Sequence, residues 1–255
     1  MNILFLVLAR DRQYVSEKIK ELEDLNVQYL IVCGEHFDHP NVVYRAANGK
    51  YDAINFAATL VSSEIDILVM NDVDTKIHNF NLALKYFKND NVALVFGSEI
   101  VNEGPQTFFI RLVNSIRERL KIVGSGELML IRKSVLKKML PLNPCKAEDT
   151  FILFKVLEYG YDTVFCKNCY AETERTKTAQ KEEGYKRRTV TGIYQALKYS
   201  KPPIIIKLFY FLLPIVSPLL LFSGIRGYYW TRGILLGFLD YIRGDQSGVW
   251  IQNYV

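Results

Sequence analysis

IDILVMNDVDTKI, Ile65 to Ile77, is the stretch around which the rest of the chain falls into place. Its first half, Ile67-Leu68-Val69-Met70, is a short branched apolar run and predicts a buried strand. The run stops in Asn71-Asp72-Val73-Asp74-Thr75. On extended backbone, residues two apart project to the same side, so Asp72 and Asp74 meet each other's charge. Carboxylates so placed repel unless a cation, water or a basic group lies between them. Such oxygen donors suit Mg2+ or Mn2+, which carry phosphates on their open positions. The same two residues also read as a turn closing a strand, and the motif alone does not choose.

Outward from this stretch, strands and helices alternate. Before it lie a strand over Asn2–Leu8, a helix over Arg12–Leu25 with Val15, Ile19, Leu22 and Leu25 on one face, and strands over Val27–Cys33 and Asn41–Tyr44. Asn48-Gly49 then opens a helix carrying Ala53, Ile54, Ala57, Leu60 and Val61. After it come a helix over Asn79–Lys88 and a strand over Val92–Phe96. This alternation predicts an α/β fold with a mostly parallel central sheet and helices on both faces. Further on, helices are expected over Gln106–Leu120, Ser134–Leu140 and Phe151–Tyr159, with strands over Glu127–Ile131 and Tyr161–Phe165. Pro141 and Pro144 enforce a loop, Glu148-Asp149-Thr150 opens the helix that follows, and Gly160 ends it. Gln180–Tyr199 reads as a basic helix with Gly184 as a candidate interruption. The predicted layout is a catalytic domain over 1–200 and an apolar helical segment over 201–255.

Composition narrows the classes. The chain has 255 residues, 49% of them hydrophobic, enough for one domain with an appendage. A net charge of +5 is too mild to argue for nucleic acid. The basic residues cluster in Arg111–Lys138 and Arg175–Lys201, and the second cluster runs into apolar sequence, which fits an anionic lipid surface. Met1 leads directly into strand-like sequence, so no secretory leader is expected. Cys33, Cys145, Cys166 and Cys169 do not form a disulfide framework in a chain this long, and Cys166-Lys167-Asn168-Cys169 reads as two reduced cysteines around a strand. His36 and His39 read as loop residues.

In open α/β sheets ligands sit beyond the carboxyl ends of the strands. Asp11, Glu35 or Asp38, and Asp72 with Asp74 all follow strands. With that arrangement the chain resembles the family 2 glycosyltransferases of GT-A fold, and several motifs appear in the family's order. NGKYDAINFA, Asn48 to Ala57, is similar to the Gly-Lys helix start with its following Asn, and NDVDTKI to the metal-binding D-x-D. GSGELMLIRKSVL, Gly124 to Leu136, is similar to the segment after the donor site. AEDTFILFKVLEYGYDT, Ala147 to Thr163, matches the E-D motif and its helix, and YKRRTVTG, Tyr185 to Gly192, lies where the family often has Q-x-x-R-W. Tyr185 and Thr189 stand where that pattern has Gln and Trp, and Ala9-Arg10-Asp11-Arg12 replaces P-x-Y-N-E.

The resemblance implies a membrane-associated, inverting, Mn2+- or Mg2+-dependent sugar transfer from a UDP- or GDP-linked donor. The acceptor would be a hydroxyl of a glycolipid, lipid-linked oligosaccharide or surface polysaccharide. Negative charge grows on the leaving diphosphate, so a cation and basic residues are needed there. Asp72 and Asp74 would hold the metal, Lys50, Arg187 and Arg188 would meet the donor, and Asp11 with Glu35 or Asp38 would meet its base or ribose. Asp149 would take the acceptor's proton, with Glu148 orienting it or the acceptor. A polyprenyl-phosphate sugar synthase of the same fold is the alternative. It needs no carboxylate base and typically has Gln where this chain has Lys76. A catalytically silent GT-A binding domain is the other alternative.

Ile204–Ile225 is long enough to span a bilayer, but Lys207, Pro214 and Pro218 interrupt it. Ile234–Ile242 is a second apolar stretch, with Tyr228, Tyr229 and Trp230 between the two. With basic residues on both flanks, a broken hairpin in the cytoplasmic leaflet is expected, the catalytic domain being cytoplasmic.

Overall fold

The computed structural model describes residues 1–101, 107–120, 122–173, 178–245 and 247–248. Gln106, Arg175 and Lys177, and the tail 249–255, on which parts of the expected helices and basic cluster fall, lie outside the described residues.

Among the described residues there are eight strands, β1 (Ile3–Ala9), β2 (Tyr29–Cys33), β3 (Val42–Tyr44), β4 (Ile67–Asp72), β5 (Thr75–His78), β6 (Val92–Val101), β7 (Leu128–Arg132) and β8 (Asp162–Thr173). They form one sheet in the order β3-β2-β1-β4-β7-β6-β8-β5. β1, β2, β3 and β4 pair in parallel, as do β6 and β8. β7 runs antiparallel to both β4 and β6, and β5 antiparallel to β8.

The helices are α1 (Val15–Asp24), α2 (Lys50–Leu60), α3 (Asn81–Leu84), α4 (Thr107–Leu120), α5 (Lys133–Met139), α6 (Glu148–Glu158), α7 (Ala179–Tyr199), α8 (Ile204–Val216) and α9 (Ile225–Ile242), with 3-10 turns over Lys85–Lys88 and Ser217–Ser223. The alternation of strand side chains divides the core in two. On one face Leu6, Leu68 and Met70 pack with Ile54 of α2, Phe151 and Phe154 of α6 and Val190 of α7. On the other, Phe5, Val7, Ile67 and Val69 pack with Val15, Ile19 and Leu22 of α1 and with Phe80 and Phe87. β4 has a neighbour on each edge and a helical layer on each face, so its apolar run is buried throughout.

Several elements depart from expectation: β6 continues to Val101 rather than Phe96, and the helix expected over Asn79–Lys88 is α3 followed by a 3-10 turn. β5 follows the carboxylate turn directly, and β8 runs to Thr173 rather than Phe165 because the strand resumes after a bulge at Cys166–Tyr170. α7 is continuous through Gly184. All four cysteines are reduced and buried.

The C-terminal helices lie on α7. On α9, Cβ atoms at Gly233 and Gly237 would come within 2.7 Å of the Glu183 carbonyl and 2.4 Å of the Arg187 carbonyl, so only glycine admits this approach. Pro214 falls within α8, and Ser217–Ser223 tightens to 3-10 before Gly224 turns the chain at φ 70°. The fully buried Tyr210 of α8 donates to the Ile122 carbonyl at 2.9 Å. Ile204–Ser223 is long and apolar enough to cross a membrane, and 22% of its apolar window is buried.

Candidate active site

The carboxyl ends of β1, β2 and β4 open on the same side because these strands are parallel. β4 ends in Asp72, and Thr75 closes the turn by donating from Oγ1 to the Asp72 carbonyl at 3.0 Å. Asp72 and Asp74 therefore share one tight turn, Asp72 half-buried and Asp74 exposed.

Lys50, the first residue of α2, reaches this turn. Gly49 before it holds φ 107°, a backbone conformation that suits glycine and starts the helix at this angle. The Lys50 Nζ lies 2.6 Å from both carboxylate oxygens of Asp72 and 3.8 Å from Glu148 Oε1. Burial disfavours its charge, but Asp72 and Glu148 outweigh that and hold the ammonium charged. Arg188 lies near enough to oppose it. Asn55, one turn further along α2, exchanges two hydrogen bonds with the backbone of Leu142, at 3.1 and 2.7 Å. That ties α2 to the loop entering α6 and fixes Lys50 against Glu148.

Glu148 and Asp149 form the first turn of α6, where the helix dipole favours negative charge. The Thr150 amide donates to Asp149 Oδ1 at 2.7 Å. Burial pushes Glu148 up to about 7, against the pull of Lys50. Burial also raises Asp149, and the neighbouring Glu127 carboxylate adds to it.

Glu127 acts electrostatically on both Asp72 and Asp149 and so belongs to the same acidic group, a residue that sequence reasoning missed. It accepts from Ser125 Oγ at 2.9 Å. Arg117 of α4 holds the loop beneath it, donating to the Gly124 carbonyl from Nε at 3.1 Å and Nη2 at 2.8 Å. A Cβ at Gly124 would lie 2.9 Å from the Thr150 nitrogen, so this loop packs directly on the start of α6. The Gly-rich run Gly124-Ser125-Gly126 was the signal for it.

The remaining predicted residues divide. Asp11 caps its own turn by accepting from the Gln13 amide at 3.0 Å, and Glu35 accepts from the Arg12 amide at 3.3 Å. Together they form a second acidic group at the ends of β1 and β2, and both act on Cys33, whose thiol is raised first by burial. Asp38 is exposed in the loop after β2. Arg187 is held by Asp240 of α9, with Nη2 2.7 Å from Oδ1. Arg188 has its Cζ 5.2 Å from the Tyr185 ring centroid.

The sequence matches no family model and no curated protein. Solved structures do match. The mannosyltransferase PcManGT from Pyrobaculum calidifontis, solved with GDP-Man and Mn2+, superposes with a TM-score of 0.70 over 95% of this chain and 87% of its own, at 14% identity. The chain has the GT-A fold. GalNAc-T7, solved with UDP, GalNAc and Mn2+, shares that fold at a TM-score of 0.55 and 8% identity, covering 96% of this chain and 56% of its own. Glucosyl-3-phosphoglycerate synthase of M. tuberculosis does so at 0.51 and 16%, covering 76% of this chain and 80% of its own. In this GT-A chain the acidic group stands at the carboxyl end of β4.

No group of three or more His, Cys, Asp or Glu is placed to hold a metal among the described residues. Two carboxylates on one turn are nevertheless the protein share that Mg2+-type sites need when substrate phosphates supply further oxygens. The Lys50 ammonium now sits on both Asp72 oxygens, so the residues fit a divalent cation brought with a diphosphate only if it takes the place that ammonium holds, with Asp74 and the phosphates supplying further oxygens.

Proposed function

We propose that this chain is an inverting, metal-dependent glycosyltransferase that moves a sugar from a UDP- or GDP-linked donor to a hydroxyl of a membrane-associated acceptor. The single observation that carries this reading is the row Asp72–Lys50–Glu148, with Asp149 beside it, at the carboxyl end of β4 in a GT-A fold. It joins a cation-binding turn to a buried, protonatable acid across one lysine. PcManGT and GalNAc-T7, whose structures contain GDP-Man or UDP together with Mn2+, give the reading its donor class.

Asp72 and Asp74 would hold Mn2+ or Mg2+, which supplies positive charge to the leaving diphosphate. Lys50 and Arg188 carry further positive charge on the same side. Asp149 takes the acceptor's proton, and burial together with Glu127 raises its affinity for that proton. Glu148, tied to Lys50, keeps the base and the donor side in register. Direct attack with one base inverts the anomeric carbon. Asp11 with Glu35 or Asp38 receives the base or ribose of the donor.

The membrane part of the reading rests on the C-terminal helices. Phe211, Ile215, Leu219, Phe222 and Ile225 are all more than half exposed, and Phe222 is 92% exposed. Lys201, Lys207, Arg226 and Arg243 are exposed among or beside them. Apolar side chains flanked by cations suit an anionic leaflet, met by a broken hairpin from the cytoplasmic side. On this reading residues 1–200 form the catalytic domain and 201–255 the membrane-seated one.

Nucleotide release from a panel of UDP- and GDP-sugars, with Mn2+ and with EDTA, tests the activity in purified full-length protein. Release with one donor class that EDTA abolishes is expected. No release with any donor, with or without lipid extract, would leave a silent binding domain instead.

A further inference from the structure

α1 carries a lysine where its pattern calls for an apolar residue. Lys18 is 2% exposed and lies within the same layer as Val15, Ile19 and Leu22. A buried ammonium is costly unless each of its three N–H groups meets an acceptor. Here three do: Glu21 Oε2 at 2.6 Å, Asn71 Oδ1 at 2.8 Å and the Thr75 carbonyl. Asn71 relays the contact, donating from Nδ2 to Thr75 Oγ1 at 2.7 Å and to the Glu127 carbonyl. The second oxygen of Glu21 accepts from the Ile77 amide at 2.6 Å. The chain is thus gripped at Asn71, Thr75 and Ile77, on both sides of Asp72-Val73-Asp74. Asp72 and Asp74 also act on the Lys18 charge.

We propose that Lys18 and Glu21 form a clamp on α1 that positions the Asp72 and Asp74 carboxylates for the divalent cation of the donor complex. Lys18 is a positioning residue, since the ammonium is spent on Glu21, Asn71 and Thr75 and does not itself meet the donor. The proposal rests on the metal reading of Asp72 and Asp74 given above.

Two roles for a cation beneath a metal site differ in sign. A positioning clamp strengthens metal binding by holding the ligands. A mere buried counter-charge weakens it, because it repels the incoming cation. Outer residues that orient metal ligands typically cost 10–100-fold in metal affinity when removed. Lys18→Met removes the charge and the three donors while keeping an unbranched chain of similar length. Lys18→Arg keeps the charge but replaces a three-way donor with a planar fork.

The experiment titrates Mn2+ into full-length protein by calorimetry with GDP, and separately with UDP, and measures kcat and donor KM at each Mn2+ level. For Lys18→Met the half-saturating Mn2+ concentration should rise about tenfold or more. High Mn2+ should recover part of kcat, and calorimetry on the folded fraction separates weaker Mn2+ binding from general destabilisation, which Mn2+ would also relieve. Lys18→Arg should remain impaired. Unchanged or tighter Mn2+ binding by folded Lys18→Met, or full recovery by Lys18→Arg, overturns the clamp. If Lys18→Met does not fold, Glu21→Gln decides: it keeps the shape and an acceptor for Ile77, and Mn2+ binding unaltered by it overturns the proposal. Wild-type protein that binds nucleotide without any Mn2+ dependence overturns the metal reading and the clamp together, whereas Mn2+ binding equal in wild type and variants overturns the clamp alone.

Discussion

The acidic crevice and the C-terminal helices depart from ordinary burial in opposite directions. In the crevice, Lys18, Glu127 and Glu148 are buried charges, each answered by a partner or a helix terminus. On α8 and the 3-10 turn, Phe211, Ile215, Leu219 and Phe222 are apolar side chains left at the surface. Soluble chains bury large apolar groups and leave charges in water, so both regions are less stable than they might be. The crevice meets its cost with internal pairing, which calls for rigid geometry. The apolar surface has no such pairing, which calls for contact with something apolar. The two regions should therefore fail separately.

The largest break is expected at the turn after β4. Asp74→Ala should reduce donor turnover to background in a nucleotide-release assay with Mn2+ while leaving the melting temperature unchanged, since Asp74 is exposed. Asp72→Ala should do the same with a small loss of stability, because Lys50 loses its nearer partner. Turnover near wild type in either variant would end the metal assignment. Asp149→Asn should lower turnover by about a hundredfold or more, the usual scale for a lost general base, with donor affinity retained. None of these should alter membrane partition.

The opposite face gives the converse. Phe211→Asp with Phe222→Asp should lower binding to anionic liposomes by more than tenfold, since burying one Phe contributes about 1.5–3 kcal/mol. Turnover on a soluble acceptor analogue should hold. Sedimentation with vesicles reads the first and the release assay the second. If the double variant binds vesicles as before, those helices are not the membrane contact.

The smallest effect concerns pH. Burial raises Glu148 from 4.5 to about 7, so the folded chain binds more protons than the unfolded one between those values. This contribution to stability is present below pH 4.5 and lost as pH rises through 7. The melting temperature should fall by a few degrees more from pH 5 to pH 8 in wild type than in Glu148→Gln. Parallel pH profiles would remove Glu148 as the source.

The half of the sheet around β1, β2 and β4 was legible because each strand is a branched apolar run, and the helices α1 and α2 that separate them carry a readable apolar face. β5 was not: Thr75–His78 is four residues and shares its start with the carboxylate turn, so its pattern is hidden in the turn signal. β8 was cut short because Lys167 and Asn168 bulge out before pairing resumes at Tyr170. In the site, the order of motifs gave Asp72, Lys50, Glu148 and Asp149, which the fold brings together. Lys18 was invisible, since its burial depends on a turn more than fifty residues away in sequence. Arg187 and Arg188 are neighbours in one basic helix, and only the position of Asp240 on α9 distinguishes them.

The two glycines that let α9 sit against α7 have a further consequence. Glu183 and Arg187 press on Gly233 and Gly237 one helical turn apart, so α9 cannot slide or tilt without collision. The 3-10 turn with its apolar side chains is tied to α9 where Thr231 Oγ1 donates to the Ser217 carbonyl at 2.8 Å, so that surface is held at a set height relative to Asp149. Seated on lipid as proposed, the molecule works as a gauge. An acceptor hydroxyl reaches the base only if the linker between it and the lipid tail has the matching length. Chain length above the bilayer, as much as sugar identity, would then select what is glycosylated.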